Sequence, residues 1–362
     1  MDVFVLGFAV HPPAVRIGDK RLEEMAFDTA RAALDNAGVE RAQVEQVTIA
    51  ACDELDGRSI SSMLLAAPAG AYLRDEIRCT DSGITGLCLG AMRVASGVFD
   101  VGLVVSWSKT SEAPVENVMR MRCEPFYTRP IGLNMSVADG LFAQSVSAAY
   151  RLSGADVDQE VLASYRRAIL NPRGVARDMP TLDDIASSEL VAAPLRRAHQ
   201  APLTDGAVAI VLVSERWLSR HPRAEPLARI AGLGWRSEGY DLGATRLSGL
   251  SGFRGAFDAA LKQAGLANVG VLCVIELDSQ TGFHGLAYKA ALGGTGAAIS
   301  PSGGPFAQNP IFCSGLVNVA EAVLQVCGSA GATQRRRARY AAAHGCHGFA
   351  QQGNVVAILE RV

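Results

Sequence analysis

Aromatic residues are scarce in this sequence, 6% of 362 residues. A chain so poor in large flat side chains must fill its interior with aliphatic groups and close backbone approaches. It carries 37 glycines, and 49% of its residues are hydrophobic. Small residues let helices sit close on a sheet, which favours a packed α/β architecture. No uninterrupted apolar run of about 18 residues occurs, so no membrane-spanning helix is expected. An excess of one charge is also missing. With 34 Lys and Arg against 36 Asp and Glu the net charge is −2, which argues against broad attraction to nucleic acid or to an anionic membrane. Eight cysteines, at 52, 79, 88, 123, 273, 313, 327 and 346, form no C-x-x-C pair and no His/Cys ligand spacing. That scatter fits reduced thiols of a cytoplasmic protein and argues against a zinc site. The N-terminus, MDVFVLGFAVHPPAV, has an acidic second residue and turns polar too early for a signal peptide; it reads as a buried strand.

What the chain does contain is a repeat. AFDTARAALDNAGVERAQVEQVTIA begins at Ala26, and AFDAALKQAGLANVGVLCVIEL begins at Ala256. Each reads as an amphipathic helix, a glycine stop, a polar link and a buried strand. Ala37-Gly38 corresponds to Ala264-Gly265, and the preceding strands VFVLGFAV and LARIAGLGW match as well. Strand, helix and strand recurring in the same order point to duplicated βαβαβ halves. In each half a glycine-containing turn precedes a second helix: CTDSG before the run that stops at Gly97, and NPIFCSG before Leu316–Val326. A strand near Tyr340–Ala343, a turn HGCHG and a last strand VVAILE are expected to close the chain.

With these segments in order, the sequence resembles the thiolase superfamily, in particular the sterol-carrier-protein type and its thiolase-like relatives. VASGVFDVGLVVSWSK, LASYRRAILNPRG, PLTDGAVAIVL, SPSGGPFAQNPIFCSGLVNVAEA and HGCHGFAQQGNVVAILE carry the resemblance. It implies a five-layer α-β-α-β-α fold. Residues 1–225 would form an N-terminal half that includes a substrate-covering region about 110–200, and 226–362 a C-terminal half. It also implies a dimer or hetero-oligomer, with another thiolase-like chain or a small OB-fold protein as partner. The substrate would be a CoA or acyl-carrier thioester, with no cofactor bound.

Family chemistry uses a cysteine thiolate at a helix N-terminus, where the helix dipole and backbone N–H groups lower its pKa. A histidine in GHPxGA(S/T)G deprotonates it, an Asn or His helps form an oxyanion hole, and a C-x-G turn moves a second proton. Carried over residue by residue, the nucleophile position falls on Thr80, or on Cys79 if the turn holds one extra residue. Asp278 stands at the oxyanion-hole position, where a carboxylate repels a developing oxyanion unless protonated. Asn309 replaces the general base, and Phe312 and Cys313 replace Gly and Ala in the same turn. Cys346 and His347 keep acid/base groups in the C-x-G turn, where His344 is read as part of a buried turn. Among weaker candidates, Arg335, Arg336, Arg337 and Arg339 read as a solvated face or a contact for CoA phosphate, and Arg120, Arg122, Tyr127 and Arg129 as thioester or partner contacts. Three readings stay open. One is an acyltransferase using Cys79 or Thr80 with His347 or Cys346. Another is a thiolase-like retro-aldolase drawing on Asp278, Tyr240 and His347, and the third is a catalytically inactive partner subunit.

Overall fold

The computed structural model describes residues 1–57, 62–80, 82–335 and 338–362. Arg336 and Arg337 of the basic run lie outside the described residues; Arg335 is exposed, and Arg339 pairs with Glu360 at 3.3 Å.

The first half contributes strands β1 (Val3–Val10), β2 (Gln46–Ala51), β3 (Asp75–Thr80), β4 (Val101–Ser108) and β5 (Gly206–Ser214). The second contributes β6 (Ala228–Ser237), β7 (Val274–Glu276), β8 (Ala298–Ile299), β9 (Tyr340–His347) and β10 (Gly353–Glu360). They form one sheet in the order β8-β7-β9-β10-β6-β1-β5-β4-β2-β3. Outward from the β1/β6 junction, both halves repeat one pattern: two antiparallel pairings, then two parallel ones. The junction itself is only two residue pairs long, Phe4 with Arg229 and Val5 with Ala228.

The main helices are α1 (Leu22–Ala37), α2 (Gly83–Ala95), α3 (Val115–Arg122), α4 (Met135–Tyr150), α5 (Gly154–Leu170), α6 (Ser251–Ala264), α7 (Gly282–Leu292) and α8 (Ser314–Cys327). Helices α1 and α6 both end on a left-handed glycine, Gly38 (φ 63°) and Gly265 (φ 69°), as the two Ala-Gly endings imply. The duplication also shows in how these helices dock. A Cβ on Gly7 of β1 would lie 2.6 Å from the Ala37 backbone, and one on Gly232 of β6 would lie 2.2 Å from the Ala260 carbonyl oxygen. In both halves a strand glycine therefore lets a helix backbone rest directly on the sheet.

Three apolar clusters divide the molecule into layers. Leu87 and Val94 of α2 pack with Leu316 and Val323 of α8 between Val104 and Ile210 of one half and Val355 and Leu359 of the other. On one outer face Met25 and Ala33 of α1 meet Val47 and Val211; on the other, Phe253 and Phe257 of α6 meet Ile275 and Val356. The architecture is α-β-α-β-α with α2 and α8 at the centre. Their approach is tight: a Cβ on Gly315 would lie 2.9 Å from Ile84 Cγ2 and 3.0 Å from the Gly345 Cα.

Two expected turns are strand instead. His344, Gly345, Cys346 and His347 stay in β9, because the ladder with β10 continues to the pair His347 and Gly353. Cys79 and Thr80 likewise complete β3, paired with Ala50 and Ala51. Among the described residues no helix is long and apolar enough to cross a membrane.

Candidate active site

The parallel strands β7 and β9 end beside the start of α8, the edge of an α/β sheet where ligands commonly sit. β7 ends at Glu276, and Leu277 and Asp278 follow it into the loop before α7. The Asp278 backbone N–H donates to His344 Nδ1 at 3.4 Å, and His344 Nε2 meets Asn354 Oδ1 at 3.0 Å. Because Asn354 Nδ2 is committed to the Gln351 carbonyl, its oxygen faces the imidazole and His344 is the donor there. Burial pushes His344 down to about 4, so at neutral pH it is an uncharged support for Asp278.

The Asp278 carboxylate is surrounded by donors. Its Oδ2 accepts from the Cys346 backbone N–H at 3.1 Å, the Cys346 thiol at 3.2 Å and Ser314 Oγ at 3.1 Å. Its Oδ1 accepts from Gln280 Nε2 at 2.6 Å. Burial raises its pKa above the ordinary carboxylate value, and these hydrogen bonds oppose the rise without cancelling it. The Cys346 thiol is pushed well above its usual range by burial and then by the Asp278 carboxylate. The thiol therefore keeps its proton and donates it toward the carboxylate.

Asn309 is fully buried. Its Nδ2 donates to the Ala201 carbonyl at 3.3 Å and to Gln280 Oε1 at 2.8 Å, and its backbone N–H donates to Thr204 Oγ1. Asn309, Gln280 and Asp278 thus form one directional chain of hydrogen bonds.

Asp278, Gln280, Asn309, Cys346 and His347 line a cavity of about 490 Å³. Its opposite wall comes from the covering region: Glu116 and Met119 of α3, Ser136 and Asp139 of α4, Tyr165 of α5, and Arg197, Ala198 and Gln200 to Leu203. Asp139 is only 7% exposed. Burial, and then the neighbouring Glu116 carboxylate, raise it to about 7. Four of the six proposed site residues, Asp278, Asn309, Cys346 and His347, are thereby brought to one cavity. Sequence reading passed over Gln280, Glu116 and Asp139; the available signal was an acidic residue within the apolar helix MSVADGLFAQSV.

No family model matches the chain. An acetyl-CoA acetyltransferase of Methanothermobacter thermautotrophicus is 24% identical over 375 residues, covering 96% of each chain. Human mitochondrial 3-ketoacyl-CoA thiolase superposes with a TM-score of 0.81 at 19% identity, over 100% of this chain and 99% of that one. An Ltp2-ChsH2(DUF35) aldolase superposes with a TM-score of 0.80 at 20% identity, over 99% and 98%. The chain is thiolase-like and has the thiolase fold.

In this thiolase-like chain the head of α2 is Ser82, not Cys79 or Thr80. Ser82 has φ 36° and ψ 93°, a strained conformation for a residue with a side chain; it is 5% exposed, and among the described residues its hydroxyl has no partner. Cys79 lies back on β3, its sulfur 3.8 Å from where a Cβ on Gly86 would stand, and Thr80 is exposed. None of the three lines the cavity. The NPIF turn intervenes: the Phe312 carbonyl accepts the Gly83 backbone N–H at 2.9 Å, while the Phe312 side chain forms part of the cavity wall.

The remaining candidates, and one buried histidine, stand apart. Tyr240 is 87% exposed and outside the cavity. His284 is fully buried, stacked on Phe142 and pushed by burial down to about 3. Arg122 stacks over the Phe312 ring, Arg129 donates to the Cys123 carbonyl, and Tyr127 is 80% exposed; neither these nor Arg120 lines the cavity. Among the described residues no group of three or more His, Cys, Asp or Glu side chains is placed to hold a metal.

Proposed function

We propose that the chain makes or breaks a carbon–carbon bond in an acyl thioester, carried on CoA or a carrier protein, by acid–base chemistry and without a covalent acyl-enzyme. In the cleaving direction it acts as a retro-aldolase on a β-hydroxyacyl thioester. The observation that carries this reading is the cavity itself. It holds a buried carboxylate, Asp278, with a protonated thiol against it, whereas Cys79, Thr80 and Ser82 are absent from its lining. An aldolase among the similar solved structures and an acetyltransferase among the relatives agree with thioester and carbon–carbon chemistry.

In the proposed reaction the β-hydroxyl gives its proton to Asp278. The oxygen's electron pair closes the carbonyl and the Cα–Cβ bond breaks. Its electrons pass into the thioester enolate, which takes a proton at Cα from the Asp278 carboxylic acid, either directly or by way of the Cys346 thiol, which Asp278 then reprotonates. The products are an aldehyde or ketone and a shortened acyl thioester; no oxidant, reductant or water is consumed. A carboxylate with a raised pKa is a stronger base than an ordinary one, which suits abstraction of a hydroxyl proton. Gln280, held by Asn309, would fix the carboxylate's orientation. Phe126, Tyr127 and Ile131, each at least 80% exposed on the covering region, are read as contacts with a second chain, in a homodimer or in a hetero-oligomer.

The test combines product detection and mass spectrometry. Release of an aldehyde or ketone from β-hydroxyacyl-CoA, lost by about 10²–10⁴-fold in Asp278→Asn, is the expected result. An acyl adduct on Cys79 after incubation with acyl-CoA would refute the scheme in favour of acyl transfer. Absence of both turnover and adduct, together with a stable complex with another thiolase-like chain, would identify a non-catalytic subunit.

A further inference from the structure

Of the two carboxyls in the cavity's opposite wall, Glu116 is engaged and Asp139 is open. Glu116 Oε1 accepts from the Ser136 hydroxyl, and its Oε2 is sealed off. Asp139 accepts no hydrogen bond among the described residues; it lines the cavity, and its oxygens, unlike Glu116 Oε2, keep accessible surface. Its backbone is fixed in place. A Cβ on the next residue, Gly140, would lie 2.8 Å from the Ala192 carbonyl oxygen, so α4 rests on the hairpin of Leu190–Ala192 and Leu195–Arg196. The charge of Asp139 acts on Glu116 of α3, on the Cys346 thiol of β9 and on the Tyr288 hydroxyl of α7. That thiol is itself 3.2 Å from Asp278, so both carboxyls belong to one reaction space. Tyr165 and His347 complete the titratable groups of the lining. No cation pairs with Asp139 among the described residues. Arg197 is spent on Glu189 at 2.8 Å, and Arg246, on the short helix packed against α4, on Glu238 at 3.3 Å; His284 of α7 is uncharged at neutral pH.

In the reaction assigned above, negative charge moves onto the thioester oxygen as the Cα–Cβ bond breaks. A fixed donor aimed at that oxygen stabilises the transition state without having to reorient. The donors grouped around Asp278 cannot serve, because Gln280 Nε2, the Cys346 backbone N–H and thiol, and Ser314 Oγ all point at its carboxylate. We propose that Asp139 is a second catalytic residue, which as a carboxylic acid donates a hydrogen bond to the thioester carbonyl oxygen while the Asp278 carboxylate takes the β-hydroxyl proton. This rests on reading the cavity as the reaction site. The proton stays on Asp139 throughout, so the proton transfers already described are unchanged. Burial, and then Glu116, disfavour the ionised form of Asp139 and hold it at about 7, so the acid is populated at neutral pH. Asp278, with four donors on its two oxygens, is the better anion of the pair. One wall supplies the base and the other the acid, as two carboxyls in unequal surroundings can.

The experiment compares wild type, Asp139→Asn and Asp139→Leu by two readouts between pH 6 and pH 8. The first is carbonyl release from β-hydroxyacyl-CoA. Asp139→Leu, which has no donor, is expected to lower kcat by about 10²–10³-fold with little change in KM. Wild-type kcat should fall as pH rises through about 7, whereas Asp139→Asn, which keeps an N–H donor, should lose less than the leucine variant and show no such fall. The second readout is the infrared carbonyl stretch of bound hexanoyl-CoA, isotope-labelled at its carbonyl carbon; it lacks the β-hydroxyl and is not cleaved. A downshift that fades with rising pH in wild type, holds in Asp139→Asn and is absent in Asp139→Leu is the expected result. That pattern without carbonyl release from β-hydroxyacyl-CoA supports the Asp139 donor and refutes the reaction assigned above. No downshift in wild type, or one undiminished in Asp139→Leu, overturns the donor whether or not carbonyl product appears. A kcat undiminished in Asp139→Leu also overturns it.

Discussion

Replacing Asp139 with asparagine should make the protein more stable, and increasingly so as the pH rises. Asp139 is raised from 3.8 to about 7 by burial and by Glu116. A carboxyl whose folded pKa is raised stabilises the fold, relative to its ionised form, below the unfolded value; that contribution is lost as pH climbs to the folded value. Between pH 5 and pH 7 the unfolded chain is already ionised at this position while the folded chain is losing its proton. Two units at about 1.4 kcal/mol each give a loss of about 3 kcal/mol in wild type. The asparagine side chain has the same shape and no titration, so the Asp139→Asn variant does not lose it. The difference between the two proteins should therefore grow by about 3 kcal/mol from pH 5 to pH 7 and then level off. For 362 residues, unfolding at about 2.1 cal/mol/K per residue translates this into a change of about 4 °C in the Tm difference. Thermal melts of both proteins at pH 5, 6, 7 and 8 are the assay. A Tm difference that stays constant across this range would refute the assignment of Asp139 as a strained, half-protonated carboxyl. A stabilised variant with lowered turnover is the pattern expected of a residue retained for function at the expense of stability.

Two further perturbations probe the framework around the cavity. Gly345→Ala places a methyl 2.5 Å from Ile84 Cγ2 and 2.9 Å from the Gly315 Cα, so α2, α8 and β9 must separate; a loss of about 1–3 kcal/mol in urea unfolding is expected, with a fall in turnover because Cys346 is the next residue. His284→Phe should make the protein less sensitive to acid: His284 is held down from 6.5 to about 3, so its contribution is present above pH 6.5 and lost as pH falls. Relative to wild type the variant gains about 2 kcal/mol between pH 6.5 and pH 5 in urea titrations.

The duplicated fold is legible in the sequence because its devices are local. Ala-Gly at the ends of α1 and α6, and glycines opposite those helices on β1 and β6, are short-range signals that recur in the same order in both halves. Asp278, Asn309, Cys346 and His347 could be named because the resemblance to thiolases sets its motif positions on them one residue at a time. The opposite wall was hidden for the converse reason. Glu116 and Asp139 come from helices more than a hundred residues from Asp278, and nothing in their own neighbourhoods records what they face. The turn before α2 misled for a third reason. Counting residues back from Gly97 assumes a fixed helix start, whereas pairing of Cys79 and Thr80 with Ala50 and Ala51 extends β3 and moves the helix head to Ser82. A ladder hydrogen bond outweighs a spacing rule.

The altered positions in the two halves are mechanically linked. A thiolate at the head of α2 would need the first N–H groups of that helix and an open path to the thioester. Here the Gly83 N–H is held by the Phe312 carbonyl, and the Phe312 ring packs with Val115, Val118 and Met119 of α3 in the cavity wall. The turn that carries Phe312 also carries Asn309, whose amide locks Gln280, which in turn orients Asp278. Closing the first half's helix head and arming the second half's strand end are thus consequences of one loop conformation. Under the proposed reaction a base replaces a nucleophile, and a base needs a fixed lone pair and a neighbouring proton donor rather than a helix dipole. Asp278, with Gln280 on one oxygen and the Cys346 thiol on the other, meets that requirement without any residue of α2.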